Sequence, residues 1–292
     1  MQFVRNVVCG AVMGVAEIIP GVSGGTLAVL LGIYDKLIAA ISRLRQDPKR
    51  NLWFLFQVVL GMGASIFALS YVIRFLLEHY PMAVNFFFLG LIVGIIPMLT
   101  RRAVKGGFRP GSLVPFFGML ALMLALVIVP KMLGAEASSA VVETMSVGVF
   151  FRFLAVGALA ALCFILPGIS GSMIMVIFGI YNSVIAAISK LNILMLLPVA
   201  IGVLIGLLGG ARLMDVCLKK APNATYAAIL GLVVGSIFSV VDRAGFVLFS
   251  VQGAVSIVTL AIGVGVSLLL ASEKVQKLTA GPDQAAPDQP ED

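Results

Sequence analysis

An all-α protein that crosses a membrane many times, built from two inverted copies of one unit, is the fold class this sequence predicts, and three observations predict it. The chain of 292 residues is 61% hydrophobic and 11% charged, whereas a globular domain is about 45 to 50% apolar and about 25% charged. The apolar residues fall in blocks near the roughly 17 to 25 residues a helix needs to cross a hydrocarbon core. Short polar loops separate the blocks, leaving no room for a soluble catalytic domain. Finally, residues 20–42 recur at 167–189 with 13 identities in 23 positions, too many for shared hydrophobicity.

At this offset of 147, Pro20-Gly21-Val22-Ser23-Gly24-Gly25 lies on Pro167-Gly168-Ile169-Ser170-Gly171-Ser172, and Gly32-Ile33-Tyr34 on Gly179-Ile180-Tyr181. Upstream, Arg5 meets Arg152. Downstream the offset falls to 141, where Leu89-Gly90-Leu91 meets Leu230-Gly231-Leu232. The duplication therefore covers most of the chain.

The first copy takes residues 1–133. Two arms, 3–19 and 26–42, flank the glycine-rich motif in a hairpin over 3–42, followed by helices over 52–77, 84–99 and 113–133. Arg5 ahead of an apolar run resembles the start of a signal peptide, but no small-residue cleavage site follows and the segment recurs later. An external loop over 134–148 leads to the second copy, 149–271, with its hairpin over 149–189 and helices over 193–214, 226–241 and 246–270. The tail, 272–292, is rich in Ala, Pro, Gln and acids; it lacks the means to build a core and is expected to be disordered.

Each hairpin returns the chain to its starting side and three crossings follow, so the second copy must be inverted. Thirteen of the 20 Lys and Arg, from Arg5 and the clusters at 43–50 and 101–109 to Lys219, Lys220, Lys274 and Lys277, then share one face. The positive-inside rule makes that face cytoplasmic, with both termini on it. A re-entrant hairpin and two full crossings satisfy this parity equally. Arms of about 17 to 19 residues cover about 25 to 28 Å, short of a core of about 30 Å, and favour re-entry.

A Pro-Gly-x-Ser-Gly break between apolar arms unwinds the backbone. Within a membrane such a break survives only where protein buries it or a wet cavity receives it. Gly21, Gly24 and Gly25 permit close backbone approach, and Ser23 and Thr26 can cap the helix that follows, whose free N–H groups attract an anion. Gly168, Ser170, Gly171 and Ser172 offer the same in the second copy. Paired broken helices in inverted repeats are the pattern of secondary transporters; small-residue helix packing alone is the plainer alternative.

Arg5 and Arg152 hold matching places ahead of the first arms, suited either to bidentate phosphate contact or to anchoring a helix end at the interface. Glu17 lies in an otherwise apolar arm opposite Phe164 of the second copy. It can carry a coupling proton, bind a cation such as Na+, or pair with an arginine such as Arg74. Arg74 and Asp215, with Arg212 nearby, read as interface charges. Cys9, Cys163 and Cys217 show no metal or redox spacing and read as packing residues. His79 stands alone, so no metal site and no cofactor are expected.

The run Gly14-x-Ala16-Glu17-x-x-Pro20-Gly21-Val22-Ser23-Gly24-Gly25-Thr26, then Leu31-Gly32-Ile33-Tyr34, echoed at Pro167-Gly168-Ile169-Ser170-Gly171-Ser172, resembles the PopT family of bacterial membrane proteins, regarded as polyprenyl-phosphate transporters. The resemblance spans roughly residues 1–271. It implies a lipid phosphate substrate, undecaprenyl phosphate, returned from the outer to the inner leaflet of the cytoplasmic membrane. Membrane lipid is then the only other partner implied, and nucleic acid is not one. The competing class is an ion-coupled transporter of a small ion or anion. An enzyme is disfavoured by the want of a His-rich phosphatase constellation, an acid cluster for two metals or an activated nucleophile pair.

Overall fold

A computed structural model describes residues 2–19, 22–132, 141–142, 144–244 and 250–272. Twelve α-helices run through them: α1 (Gln2–Ile18), α2 (Gly24–Leu30), α3 (Tyr34–Ser42), α4 (Pro48–His79), α5 (Pro81–Ala103), α6 (Leu113–Met132), α7 (Val147–Ile165), α8 (Gly171–Ile177), α9 (Tyr181–Ser189), α10 (Ile193–Lys220), α11 (Pro222–Ala244) and α12 (Val251–Leu270). No strand occurs among the described residues. Seven helices there are long and apolar enough to cross a membrane, or nine spans if two bent pairs are included. The protein is an all-α, multi-pass membrane protein, and α7–α12 repeat the order of α1–α6.

Helices outrun the apolar blocks expected from sequence. The stretches anticipated at 52–77, 84–99, 193–214 and 226–241 lengthen because their ends carry stop and start chemistry rather than apolar residues. Asp47 accepts a hydrogen bond from Arg50 N at the start of α4, and Pro48, Pro81 and Pro222 open their helices, where a missing N–H costs nothing. Asn192 caps α10 and Ser250 caps α12. Most of the loop expected at 134–148, and the tail beyond Ser272, lie outside the described residues.

The second arm of each hairpin corrects the sequence reading. Instead of single helices over 26–42 and 173–189, the chain forms α2 and α3 bent by 117°, and α8 and α9 bent by 109°. Gly32 at φ +68° and Gly179 at φ +65° make the bends. Around Gly32, its N–H reaches Val29 O and Ile33 N–H reaches Ala28 O; Gly179 and Ile180 repeat this on Val176 and Met175. These are Schellman closures, which need a left-handed residue that glycine adopts without strain.

Packing within each copy is close. A Cβ on Gly61 would sit 1.9 Å from Val7 O, and one on Gly202 would sit 2.1 Å from Leu154 O, so α1 lies backbone-to-backbone on α4 and α7 on α10. Small residues are what permit such approach in lipid, where no hydrophobic force drives helices together. Between copies the last helices are exchanged: α6 packs on α11 and α12 on α5. A Cβ on Gly231 would meet Phe116 O at 2.2 Å, and one on Gly90 would meet Leu260 O at the same distance. Ser267 donates to Leu91 O at 2.9 Å and Thr259 to Ala83 O at 2.9 Å. The centre of the molecule is accordingly α5 against α11, each 61% buried along its span, against 11% for α6.

Candidate functional site

The two glycine breaks meet in the interior. Gly168 N–H donates to Thr26 Oγ1 at 2.9 Å, a buried bond between the copies. A Cβ on Gly25 would stand 3.2 Å from Phe164 O and 3.5 Å from Ile165 O, so the start of α2 lies on the end of α7. Tyr34, in α3, fastens the same place by donating to Ile165 O at 3.0 Å. Gly168 itself sits at φ +97°, with the backbone of Leu232 in α11 only 2.8 Å from where its Cβ would be.

Capping differs from the sequence expectation. Ser23 stands at the N-cap of α2 with extended backbone (φ −103°, ψ 127°), yet its hydroxyl makes no bond to the helix. Glu17 takes that role: its Oε1 accepts from Gly24 N at 2.8 Å. A Cβ on Gly24 would be 2.6 Å from that oxygen, so only glycine leaves room for it. Ser23 Oγ is left buried without a hydrogen bond, an exception among buried polar atoms that calls for a physical account. Thr26, expected to cap, reaches across to Gly168 instead. In the second copy Ser170 Oγ pairs with Ser172 Oγ at 2.8 Å, and neither caps α8. The copies are therefore alike in path and unlike in bonding. Gly171 packs against α7, where its Cβ would lie 2.8 Å from Ala160 O. Gly21 lies outside the described residues.

Among the described residues no arginine pairs with Glu17. Arg74 is exposed on α4, and the ion pair considered from sequence is replaced by the bond to Gly24. Arg5 and Arg152 stand away from the breaks: Arg5 precedes Glu17 by 12 residues of α1, about 18 Å at about 1.5 Å per residue. Arg5 lines a cavity of about 730 Å³, and its Nε is buried with no partner. Arg152 is exposed and donates to Phe178 O at 2.6 Å, at the end of α8.

Two polar clusters that sequence reasoning missed tie α3 to the second copy. Arg43 binds Asp215 of α10 at 2.8 Å, and Lys219 binds the same carboxylate at 2.6 Å. Asp35 accepts from Tyr226 of α11 at 2.9 Å, while Arg102 donates to that tyrosine's oxygen at 2.9 Å. Partners 172 and 191 residues apart leave no local signal; the one available hint is that Asp35 faces Asn182 in the repeat alignment. Asp215, read as an interface charge, is thus a junction between copies. Among the described residues no three His, Cys, Asp or Glu side chains gather as a metal would need.

Comparison with known proteins finds relatives along most of the chain. A polyprenyl-phosphate transporter of Staphylococcus aureus is 34% identical over 276 residues, covering 91% of this chain and 95% of the relative. A polyprenyl-phosphate transporter of Vibrio cholerae is 30% identical over 252 residues, covering 81% of this chain and 77% of the relative. No solved structure matches the chain. Both relatives are named as transporters, not enzymes. Residues 13–249 match the model of the VCA0040-like family, described as undecaprenyl phosphate translocase-like, and the chain belongs to that family.

Proposed function

We propose that this protein moves polyprenyl phosphate, with undecaprenyl phosphate as the substrate, from the outer to the inner leaflet of the bacterial cytoplasmic membrane, so that the carrier lipid is used again. The observation that carries the reading is the meeting of the two breaks: non-helical backbone from both copies, joined through Thr26 and Gly168, with Ser23 Oγ buried and unsatisfied beside it. Paired irregular breaks inside a membrane protein are where secondary transporters bind their substrates. An anionic headgroup passing the breaks would give the Ser23 hydroxyl an acceptor, while the polyprenyl tail stays in lipid.

In this scheme the copies are inverted, the bent pairs α2–α3 and α8–α9 are re-entrant, and both termini are cytoplasmic. Arg152 receives the headgroup on the outer side and Arg5 releases it inside. Glu17 couples the step to H+ or Na+: held on Gly24 N–H as a carboxylate, it occupies a donor an incoming phosphate could use, and protonation or cation binding would weaken that hold. The test is leaflet exchange of undecaprenyl phosphate in liposomes carrying the purified protein, with and without each gradient, beside a Ser23→Ala/Ser170→Ala double variant. Protein-dependent exchange that the double variant loses is the expected result. A folded protein that moves no lipid under any gradient would redirect the function to a small ion or anion.

A further inference from the structure

The cavity that holds Arg5 lies between α1, α3, the 43–47 connection and the start of α4, well away from the breaks. We propose that it is a binding site for the phosphate of a single-phosphate prenyl lipid, with the tail leaving over Phe3, Trp53 and Phe56; this rests on the lipid-phosphate reading above and gives the release step assigned to Arg5 a pocket of its own.

Charge is the first argument. Arg5, Lys36, Arg43 and Arg50 line the cavity together with Asp47; Arg43 is paired with Asp215, Lys36 stands over the Phe54 ring, and Asp47 Oδ1 accepts from Arg50 N at the start of α4. The Nε of Arg5 is buried without a partner. The Arg43 guanidinium is held by Asp215, so the buried Arg5 Nε is the donor that a phosphate entering the cavity would satisfy, by the charge-assisted contact that arginine makes with phosphate oxygens. About 730 Å³ falls within the roughly 300 to 1,000 Å³ of small-molecule sites.

The repeat supplies an internal control. Asn6 donates to Gln57 at 2.7 Å, both line the cavity, and both are nearly inaccessible, at 3% and 4%. Aligned residues of the second copy are Phe153 and Pro198, and those facing Lys36 and Arg50 are Ser183 and Leu191. Phe153 is fully packed at 1%, so the matching place in the α7–α10 contact is filled by an apolar side chain. The fold does not require the amides at Asn6 and Gln57; buried amides carry a desolvation cost that a hydrophobic pair avoids. Their presence in the first copy alone therefore points to a ligand, not to packing.

The mouth is the third argument. Phe3, Trp53 and Phe56 stack in a row with centroids 6.0 and 5.6 Å apart, and all three are about half exposed. Phe3 and Trp53 also line the cavity. A headgroup inside would thus have its tail led onto an aromatic row of the kind found at membrane interfaces.

Trp53 is the only tryptophan of the chain, so the protein carries its own reporter. In nanodiscs of phosphatidylcholine, the emission of the full-length protein is titrated with farnesyl phosphate, and in separate arms with farnesol and with inorganic phosphate. A saturable change with farnesyl phosphate, absent with farnesol and much weaker with inorganic phosphate, is expected. Arg50→Leu, an exposed position that takes the residue of the second copy, should weaken it about tenfold or more. Asn6→Leu/Gln57→Leu should do the same while the protein stays folded. An equal response to farnesol, an equal affinity for inorganic phosphate, no response, or unchanged binding in both variants overturns the site. Leaflet exchange measured on the same preparations separates the two ideas. Exchange without binding at Trp53 removes this site and leaves the transport reading, whereas binding without exchange does the reverse.

Discussion

Replacing Thr26 by Val tests whether the two breaks are held together by one bond. Valine keeps the shape and the burial (Thr26 is 3% exposed) but puts a methyl where Oγ1 accepts Gly168 N–H at 2.9 Å. The donor is then buried without an acceptor, a loss of about 1 to 3 kcal/mol. Measured hydrogen bonds between membrane helices are weaker, averaging about 0.6 and reaching about 1.7 kcal/mol. The upper part of that range applies because Gly168 sits in non-helical backbone at φ +97°, with Leu232 packed against it, so it has little freedom to find another acceptor. A cost of about 1.5 kcal/mol is roughly a tenfold shift in an equilibrium. Thermal unfolding of the purified protein should move down by the corresponding amount, and leaflet exchange should change several-fold, while Thr26→Ser, which retains the hydroxyl, stays near the parent protein in both. Equal melting and equal exchange for Thr26→Val would refute the claim that this bond joins the copies.

Packing and coupling make two further predictions. Gly61→Ala would force a Cβ to within 1.9 Å of Val7 O, whereas a Cβ on Gly63, on the same helix, would meet nothing within 4 Å; the first should cost about 1 to 3 kcal/mol of stability and the second should be neutral or slightly stabilising, as read by melting in detergent. Glu17→Gln keeps an oxygen for Gly24 N–H and discards the charge, so gradient dependence of exchange should disappear while stability holds. Glu17→Ala also exposes the N–H and should lower the melting temperature. A Glu17→Gln protein that still responds fully to both gradients would leave Glu17 a structural cap alone.

The candidate site was legible where chemistry repeats in register. Gly24, Gly25, Thr26 and Gly168 could be singled out because a break inside an apolar arm, found twice, has few structural uses. How they bond could not be read. Ser23 looks like a cap by residue type, and only the fold-back of the chain between Glu17 and Gly24, seven residues apart, decides that the carboxylate reaches Gly24 first. The bends at Gly32 and Gly179 had a visible signal in the shared Gly-Ile-Tyr, but a glycine in an apolar run has the same appearance whether it packs or turns. Arg5 and Arg152 matched in alignment and yet lie in unlike surroundings, one in a polar cavity and one on a carbonyl at the surface.

Composition and the 147-residue register were enough to read helices, multiple crossings and a duplicated unit, because backbone in lipid must be satisfied internally and apolar blocks of this length suit helices rather than strands. Tertiary contacts alone decided that α6 and α12 change places between the copies, that α5 and α11 form the centre, and that Asp35 and Asp215 join α3 to the second copy. In lipid all outward faces are equally apolar, so hydrophobicity does not say which helix meets which. The choice falls to backbone approach at Gly90 and Gly231 and to hydrogen bonds such as Ser267 to Leu91, contacts made between residues far apart in the chain.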